Sequence, residues 1–229
     1  MNNFEIEIKS LLGSKENAEA LVAKMKAKDK NLFQHETHKQ LNHYFVPIKP
    51  EVNLQDLYKN TEHLIPDLFK SRFKTITEKA KDFSVRTRLA DDRLLLVIKA
   101  SIDDTTSSNG TARLEFEAPI ANLTLEDLDN LILKSGFQYQ AKWSRERTNY
   151  EFLGTDVSID KNAGYGYLAE FEKVITNENL AERTKEDLRR LMAELGVSEL
   201  PQDRLERMFA YYNSHWPEYY GTDKIFNIE

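Results

Sequence analysis

Cysteine does not occur in the 229 residues, so disulfides, thiolate nucleophiles and Cys-ligated zinc are excluded together. Any metal must sit on carboxylate oxygen or imidazole. Long apolar runs are missing too: nothing approaches the roughly 20 apolar residues of a membrane-spanning helix. The first residues, MNNFEIEIKS, carry charge where a signal peptide has its apolar block. The expectation is a cytoplasmic protein with no membrane partner. A surplus of positive charge is also lacking; the formal net charge of -6 argues against a general nucleic-acid or anionic-membrane binder. Glycine (8) and proline (6) are few, and no internal repeat or low-complexity linker divides the chain. What is present, 40% hydrophobic and 31% charged residues with twelve Phe and ten Tyr, is ordinary for a folded globular chain. The length suits one sizeable domain, since single cores run up to roughly 250 residues.

A period-2 pattern recurs along the sequence. FEIEIKS (4–10) sets Phe4, Ile6 and Ile8 against Glu5, Glu7 and Lys9. LNHYFV (41–46), FSVRTRLA (83–90) and RLLLVIKA (93–100) read as strands, the last two joined at Asp91-Asp92. The loop 103–110 ends in Asn-Gly, a hairpin signal, before TARLEFEAP. SRERTNYEFL (144–153), TDVSID (155–160) and YLAEFEKV (167–174) complete about eight strands. Helices interleave with them. One spans 14–30 from an N-cap at Ser14, and another spans 124–135 from Thr124, with Asp127 as capping partner and Gly136 as stop. Residues 53–81 are helical in part and broken at Pro66; the tail holds helices at 180–195 and 201–213. Alternating strands imply an antiparallel sheet with two chemically different faces, hence an α+β class.

The polar faces are unusual in content. A half-buried strand normally shows water an assortment of polar residues, whereas these carry mostly paired Glu, Asp, Arg and Lys. If the sheet closes into a barrel, that parity lines the lumen, and a charged lumen is a tunnel for a charged ligand. The cations are Lys9, Arg86, Arg88, Lys99, Arg113, Arg145 and Arg147; the acids are Glu5, Glu7, Glu115, Glu117, Asp160, Glu170 and Glu172. Mg²⁺ or Mn²⁺ takes one or two carboxylates and completes its shell with water and phosphate oxygens. Arg and Lys bind phosphate. A triphosphate with its metal would use both sets.

The ordered set Glu5-x-Glu7-x-Lys9, Tyr44-Phe45, Arg86-x-Arg88, Lys99, Glu115-x-Glu117, Arg145-x-Arg147, Asp160 and Glu170-x-Glu172 resembles the CYTH family, the triphosphate tunnel metalloenzymes. The resemblance implies an eight-stranded antiparallel β-barrel, the triphosphate tunnel, with flanking helices, and divalent-metal chemistry on triphosphates. Its members hydrolyse inorganic, thiamine or nucleoside triphosphates, and others cyclise ATP. Carried over by motif position, Glu5, Glu7, Asp160, Glu170 and Glu172 form the metal-binding set, joined by Glu115 and Glu117 at a second metal or as orienting groups. Lys9, Arg86, Arg88, Lys99, Arg113, Arg145 and Arg147 grip the triphosphate, and Lys9 and Glu170 are the residues expected to act in catalysis. The tunnel domain would occupy 1–176, with a helical insertion near 50–81, and a helical extension would occupy 177–229. That extension is a candidate for closing one tunnel end or for a homodimer contact.

Blander readings compete with these. One strand with Glu5, Glu7 and Lys9 is, alone, a solvated sheet face; only the ordered set outweighs that reading. His35 and His38 read as a solvated turn or strand start, AGYGY (163–167) as a tight turn between strands, and the Lys24 to Lys30 run as the wet end of a helix. The aromatics Tyr211, Tyr212, Trp216, Tyr219 and Tyr220 read as packing before base stacking. Function then lies among a triphosphate hydrolase, a class IV-type adenylate cyclase and a non-enzymatic polyphosphate binder, in that order.

Overall fold

The computed structural model describes residues 4–80, 82–101 and 113–229. The elements run β1 (Phe4–Gly13), α1 (Lys15–Lys28), β2 (Phe33–Pro47), α2 (Leu54–Thr61), α3 (Asp67–Lys79), β3 (Asp82–Ala90), β4 (Arg93–Ser101) and β5 (Arg113–Pro119). They continue with α4 (Leu125–Lys134), β6 (Phe137–Phe152), β7 (Thr155–Asn162), β8 (Gly166–Ile175), α5 (Ala181–Glu194) and α6 (Gln202–Tyr219). The strands make one eight-stranded sheet in the order β1-β8-β7-β6-β2-β3-β4-β5. The α+β class and the antiparallel eight-stranded architecture are thus those expected from the sequence. Among the described residues, β1 and β5 stand at the two ends of this hydrogen-bonded order. The expected Asn-Gly hairpin turn lies outside the described residues. No described helix is long and apolar enough to cross a membrane.

Local chemistry explains most boundaries. Ser14 accepts the Asn17 amide at the start of α1, and Thr124 and Asp127 form a complete capping box on α4. Gly136, at φ +89, ends α4, and α3 starts just after Pro66. Three elements outrun their sequence signal. β2 starts at Phe33 because backbone pairing continues through an exposed, mostly polar stretch, where His35 Nε2 meets Glu151 Oε1 at 3.0 Å and Thr37 meets Thr148 at 2.7 Å. β6 starts at Phe137, and its buried Phe137 and Ala141 alternate with exposed Gln138 and Gln140. α6 runs past residue 213 to Tyr219, through Pro217.

The chain forms two compact units, Met1–Lys39 with Ser144–Glu229, and Gln40–Trp143. In the first, one parity of the strands is apolar: Ile6, Ile8, Tyr150, Phe152, Val157, Ile159, Ala169 and Phe171 pack with Leu21 and Met25 of α1 and Leu188 and Met192 of α5. The lysine run of α1 is not wholly wet. Lys24 Nζ donates to Leu195 O at 2.8 Å at the end of α5, and Lys28 pairs with Glu194 at 2.7 Å. After α5, the Leu200 amide donates to Lys9 O at 2.7 Å. Phe226 sits within 5.0–5.3 Å of the Tyr165, Tyr211 and Tyr219 rings, so the tail aromatics pack, as expected. In the second unit Val85, Leu96, Ile98 and Phe116 pack with Leu57, Phe73, Leu128 and Ile132, and Phe73 stacks on Phe116 at 4.8 Å.

AGYGY is a turn between β7 and β8, as read from the sequence. Gly166 there has φ +72, and a Cβ on it would lie 2.1 Å from the Gly13 carbonyl oxygen. The left-handed backbone alone costs an L-residue about 1–2 kcal/mol. Displacing a backbone carbonyl adds to that. Gly166→Ala is therefore expected to lower the thermal midpoint by several degrees, at about 2–4 °C per kcal/mol for a chain of this size. An unchanged midpoint by circular dichroism would show that the turn relaxes freely.

Candidate active site

In the first unit, strand register places the polar side chains in rows. Glu7 of β1 faces Glu172 of β8, Glu172 faces Asp156 of β7, and Asp156 faces Glu151 of β6, so four acids cross four strands side by side. The next row reads Lys9, Glu170, Ser158 and Asn149. Beyond it come Asp160 with Arg147, then Asn162 with Arg145. Side chains opposed across a ladder lie roughly 4.5–5.5 Å apart at Cβ, near enough to repel when alike and attract when opposite. One row is acidic; those beside it alternate in sign.

The alternating rows are joined by ion pairs. Lys9 Nζ contacts Glu7 and lies 3.2 Å from Glu170 Oε1. Arg147 grips Asp160 through two bonds, Nε to Oδ1 at 2.7 Å and Nη2 to Oδ2 at 2.6 Å, and also contacts Glu170. Arg145 Nη1 adds a third donor to Asp160 at 3.4 Å. Asp160 is 1% exposed, so its charge is tolerated only because these guanidiniums neutralise it. Burial pushes the Glu170 carboxyl up, but Lys9 and Arg147 outweigh burial and hold it below the ordinary glutamate value. Burial likewise opposes charge on Arg147, yet Asp160 and Glu170 hold its guanidinium more firmly protonated than usual.

The second unit carries its own charged face. Arg86 Nη1 donates to Tyr44 Oη at 3.2 Å and its guanidinium lies 5.0 Å from that ring centre. Arg88 donates to Asn42 Oδ1 at 3.0 Å and to Glu117 Oε2 at 3.1 Å. Arg86 Nε is buried and has no hydrogen-bond partner among the described residues. Lys99, half-buried, faces Glu115 in the register. This face is less uniformly charged than the alternation of single residues suggested, because Leu95 and Val97 share the parity of Lys99 and are buried.

Within the first unit the structure brings Glu7, Lys9, Arg145, Arg147, Asp160, Glu170 and Glu172 onto one strand face, and within the second it gives Arg86, Arg88, Lys99 and Glu117 a shared parity. The side chains of Glu5, Arg113 and Glu115 lie outside the described residues, although their backbones belong to β1 and β5. Asp156 and Glu151 complete the acid row and were not among the sequence candidates; the Asp156-x-Ser158-x-Asp160 alternation was the signal for the first. His35 pairs with Glu151 on an exposed strand. Among the described residues no three carboxylate or imidazole groups converge as a ready metal cage. The donor chemistry still fits a hard divalent ion, since Mg²⁺ is held by one or two carboxylates plus substrate phosphates and water, not by an all-protein cage.

The CYTH domain model matches residues 73–204, more than half of the sequence. The chain belongs to the CYTH family. No curated protein matches it in sequence. Among solved structures, a Pyrococcus horikoshii protein is similar at TM-score 0.55 and 17% identity, covering 91% of this chain and 99% of that one. A Vibrio parahaemolyticus protein proposed as an adenylate cyclase gives TM-score 0.53 and 12% identity, covering 92% and 99%. A Hippeastrum protein proposed as an adenylyl cyclase, with a dominant triphosphatase activity, gives 0.50 and 18%, covering 93% and 96%. At these identities the likeness establishes a shared CYTH fold.

Proposed function

We propose that this CYTH protein is a divalent-metal-dependent hydrolase of a triphosphate. The observation that carries the reading is the Lys9–Glu170–Arg147–Asp160 chain of shared charges beside the Glu7, Glu172 and Asp156 row. Such a chain is costly to keep for stability, because a buried ion pair often does no better than apolar side chains of equal volume. A polyanion with its cation gives it a use. The phosphates draw on Lys9, Arg145 and Arg147; Glu7, Glu170 and Glu172 hold Mg²⁺ or Mn²⁺, with Asp160 orienting the arginines. In the second unit, Arg86, Arg88 and Lys99 form a phosphate-binding surface, and the unpaired Arg86 Nε is a donor awaiting an anion.

In the reaction a water attacks the terminal phosphorus in line, the bridging P–O bond breaks, and orthophosphate and the shortened chain leave. A divalent ion held by these carboxylates supplies charge stabilisation to the phosphate oxygens. Lys9 and Arg147 offset the charge that moves onto the leaving oxygen from positions already fixed by Glu170 and Asp160, so little reorganisation is needed.

The test is a product assay with Mg²⁺ or Mn²⁺ and tripolyphosphate, thiamine triphosphate or ATP, resolving orthophosphate, pyrophosphate and cyclic AMP. Metal-dependent orthophosphate, lost in Glu7→Gln and reduced but still measurable in Arg88→Ala, is the expected result and names the substrate. Cyclic AMP with pyrophosphate would replace the hydrolase by a cyclase, and no product from any substrate would leave a binding protein.

A further inference from the structure

Asp129 lies on the buried side of α4 at 1% exposure and accepts hydrogen bonds from three different strands. His43 Nδ1 of β2 reaches it at 2.6 Å, Thr87 Oγ1 of β3 at 2.7 Å and Tyr139 Oη of β6 at 2.8 Å. His43 is 4% exposed and Thr87 is fully buried, so this is a polar node on the apolar side of the second unit. No chemistry reaches it from solvent, and it takes no part in the charged face described above. An unpaired carboxylate there would be prohibitive, whereas three donors satisfy it.

Its place in the register gives it a purpose. His43 is directly opposite Thr87, and the pairs on either side of them are Asn42 with Arg88 and Tyr44 with Arg86. Successive strand residues point to opposite faces. The node therefore sits directly behind the two arginines, whose own partners on the front are Tyr44, Asn42 and Glu117. An apolar set of side chains would fill the same volume but would leave the angle between α4 and these strands to packing alone. Three short bonds to one carboxylate fix it.

We propose that Asp129 is a positioning residue for the Arg86–Arg88 pair, pinning β2, β3 and β6 to α4 so that both guanidiniums hold phosphate-binding spacing. The inference rests on the triphosphate reading for its kinetic consequence and stands apart from it for its structural one. In Asp129→Asn, the KM for tripolyphosphate is expected to rise about tenfold with kcat within about twofold, the signature of lost binding common to ground and transition states. Combined with Arg88→Ala, the losses should fall short of additive, because both changes disable the same grip. Thr87→Val, which removes one bond at nearly constant volume, should give a smaller shift of the same kind and serves where Asp129→Asn folds poorly.

Hydrogen exchange supplies a readout that needs no substrate: amides of residues 41–46 and 84–90 should exchange faster in both variants than in the unmodified protein. Unchanged exchange overturns the pinning. A parallel fall of kcat and kcat/KM, or full additivity with Arg88→Ala, reduces the node to a structural one and overturns the positioning role. If the unmodified protein neither turns over nor binds tripolyphosphate by calorimetry, the triphosphate reading fails; the exchange result alone then decides whether Asp129 pins the strands.

Discussion

Glu170→Gln is expected to lower kcat on the preferred triphosphate by about 10²–10³-fold, the usual loss when one preorganised electrostatic group is removed. The glutamine keeps the volume and accepts bonds, but the charge that Lys9 and Arg147 share disappears. Both cations then turn to their other partners, Glu7 and Asp160. Metal retention should weaken as well, so added Mn²⁺ should restore part of the activity. A loss below fivefold would remove Glu170 from the reaction. The same substitution has a pH signature. Because Lys9 and Arg147 hold the folded-state carboxyl below its ordinary value, its contribution to stability is present above about pH 4.3. It is lost as pH falls through the lower folded-state value. Acid unfolding, followed by near-UV circular dichroism, should be less steep below that pH in the glutamine variant.

Arg147→Met should be the most destabilising single change on this face. Among the described residues it leaves Asp160 with the Arg145 contact at 3.4 Å, in a position 1% exposed. Stranding one member of a buried pair costs about 3–5 kcal/mol, against near-neutrality when both members are replaced. For a chain of this length that corresponds to a fall of about 6–20 °C in thermal midpoint. Arg147→Met with Asp160→Asn should recover most of it, and a double-mutant cycle measures the coupling. If the single variant loses less than about 1 kcal/mol, water reaches Asp160 and the pair is not structurally coupled.

The legible part of the fold was its alternation. Phe4 to Lys9, Ser84 to Leu89 and Ala169 to Val174 show their two faces in period 2, and their charged parity is what forms the candidate site. Capping residues Ser14, Thr124 and Asp127 located two helices for a direct physical reason: their side chains satisfy amides that the helix leaves open. Phe33–Lys39 was not legible, because both faces of that part of β2 are exposed and nothing in the residue order records the partner strand. The acid row was only half legible. Glu7 and Glu172 belong to recognisable pairs, but that Asp156 and Glu151 continue the row is a property of register, which depends on pairing across the sheet. Asp129 was hidden more deeply. In sequence it is one of several acids on an amphipathic helix, and His43 is a lone histidine just before the Tyr44-Phe45 motif; only tertiary packing brings them together.

If the chain hydrolyses a triphosphate, the run of shared charges from Lys9 to Asp160 would also govern how a reaction cycle ends. A bound polyphosphate would share Lys9 and Arg147 with Glu170 and Asp160, which keep both cations in place while it is held. Cleavage would leave fewer charges on each product, whereas the tethered carboxylates remain within a few ångströms at fixed high effective concentration. The acids would therefore outcompete each product for the cations and favour its release. Orthophosphate should be a poor inhibitor for this reason.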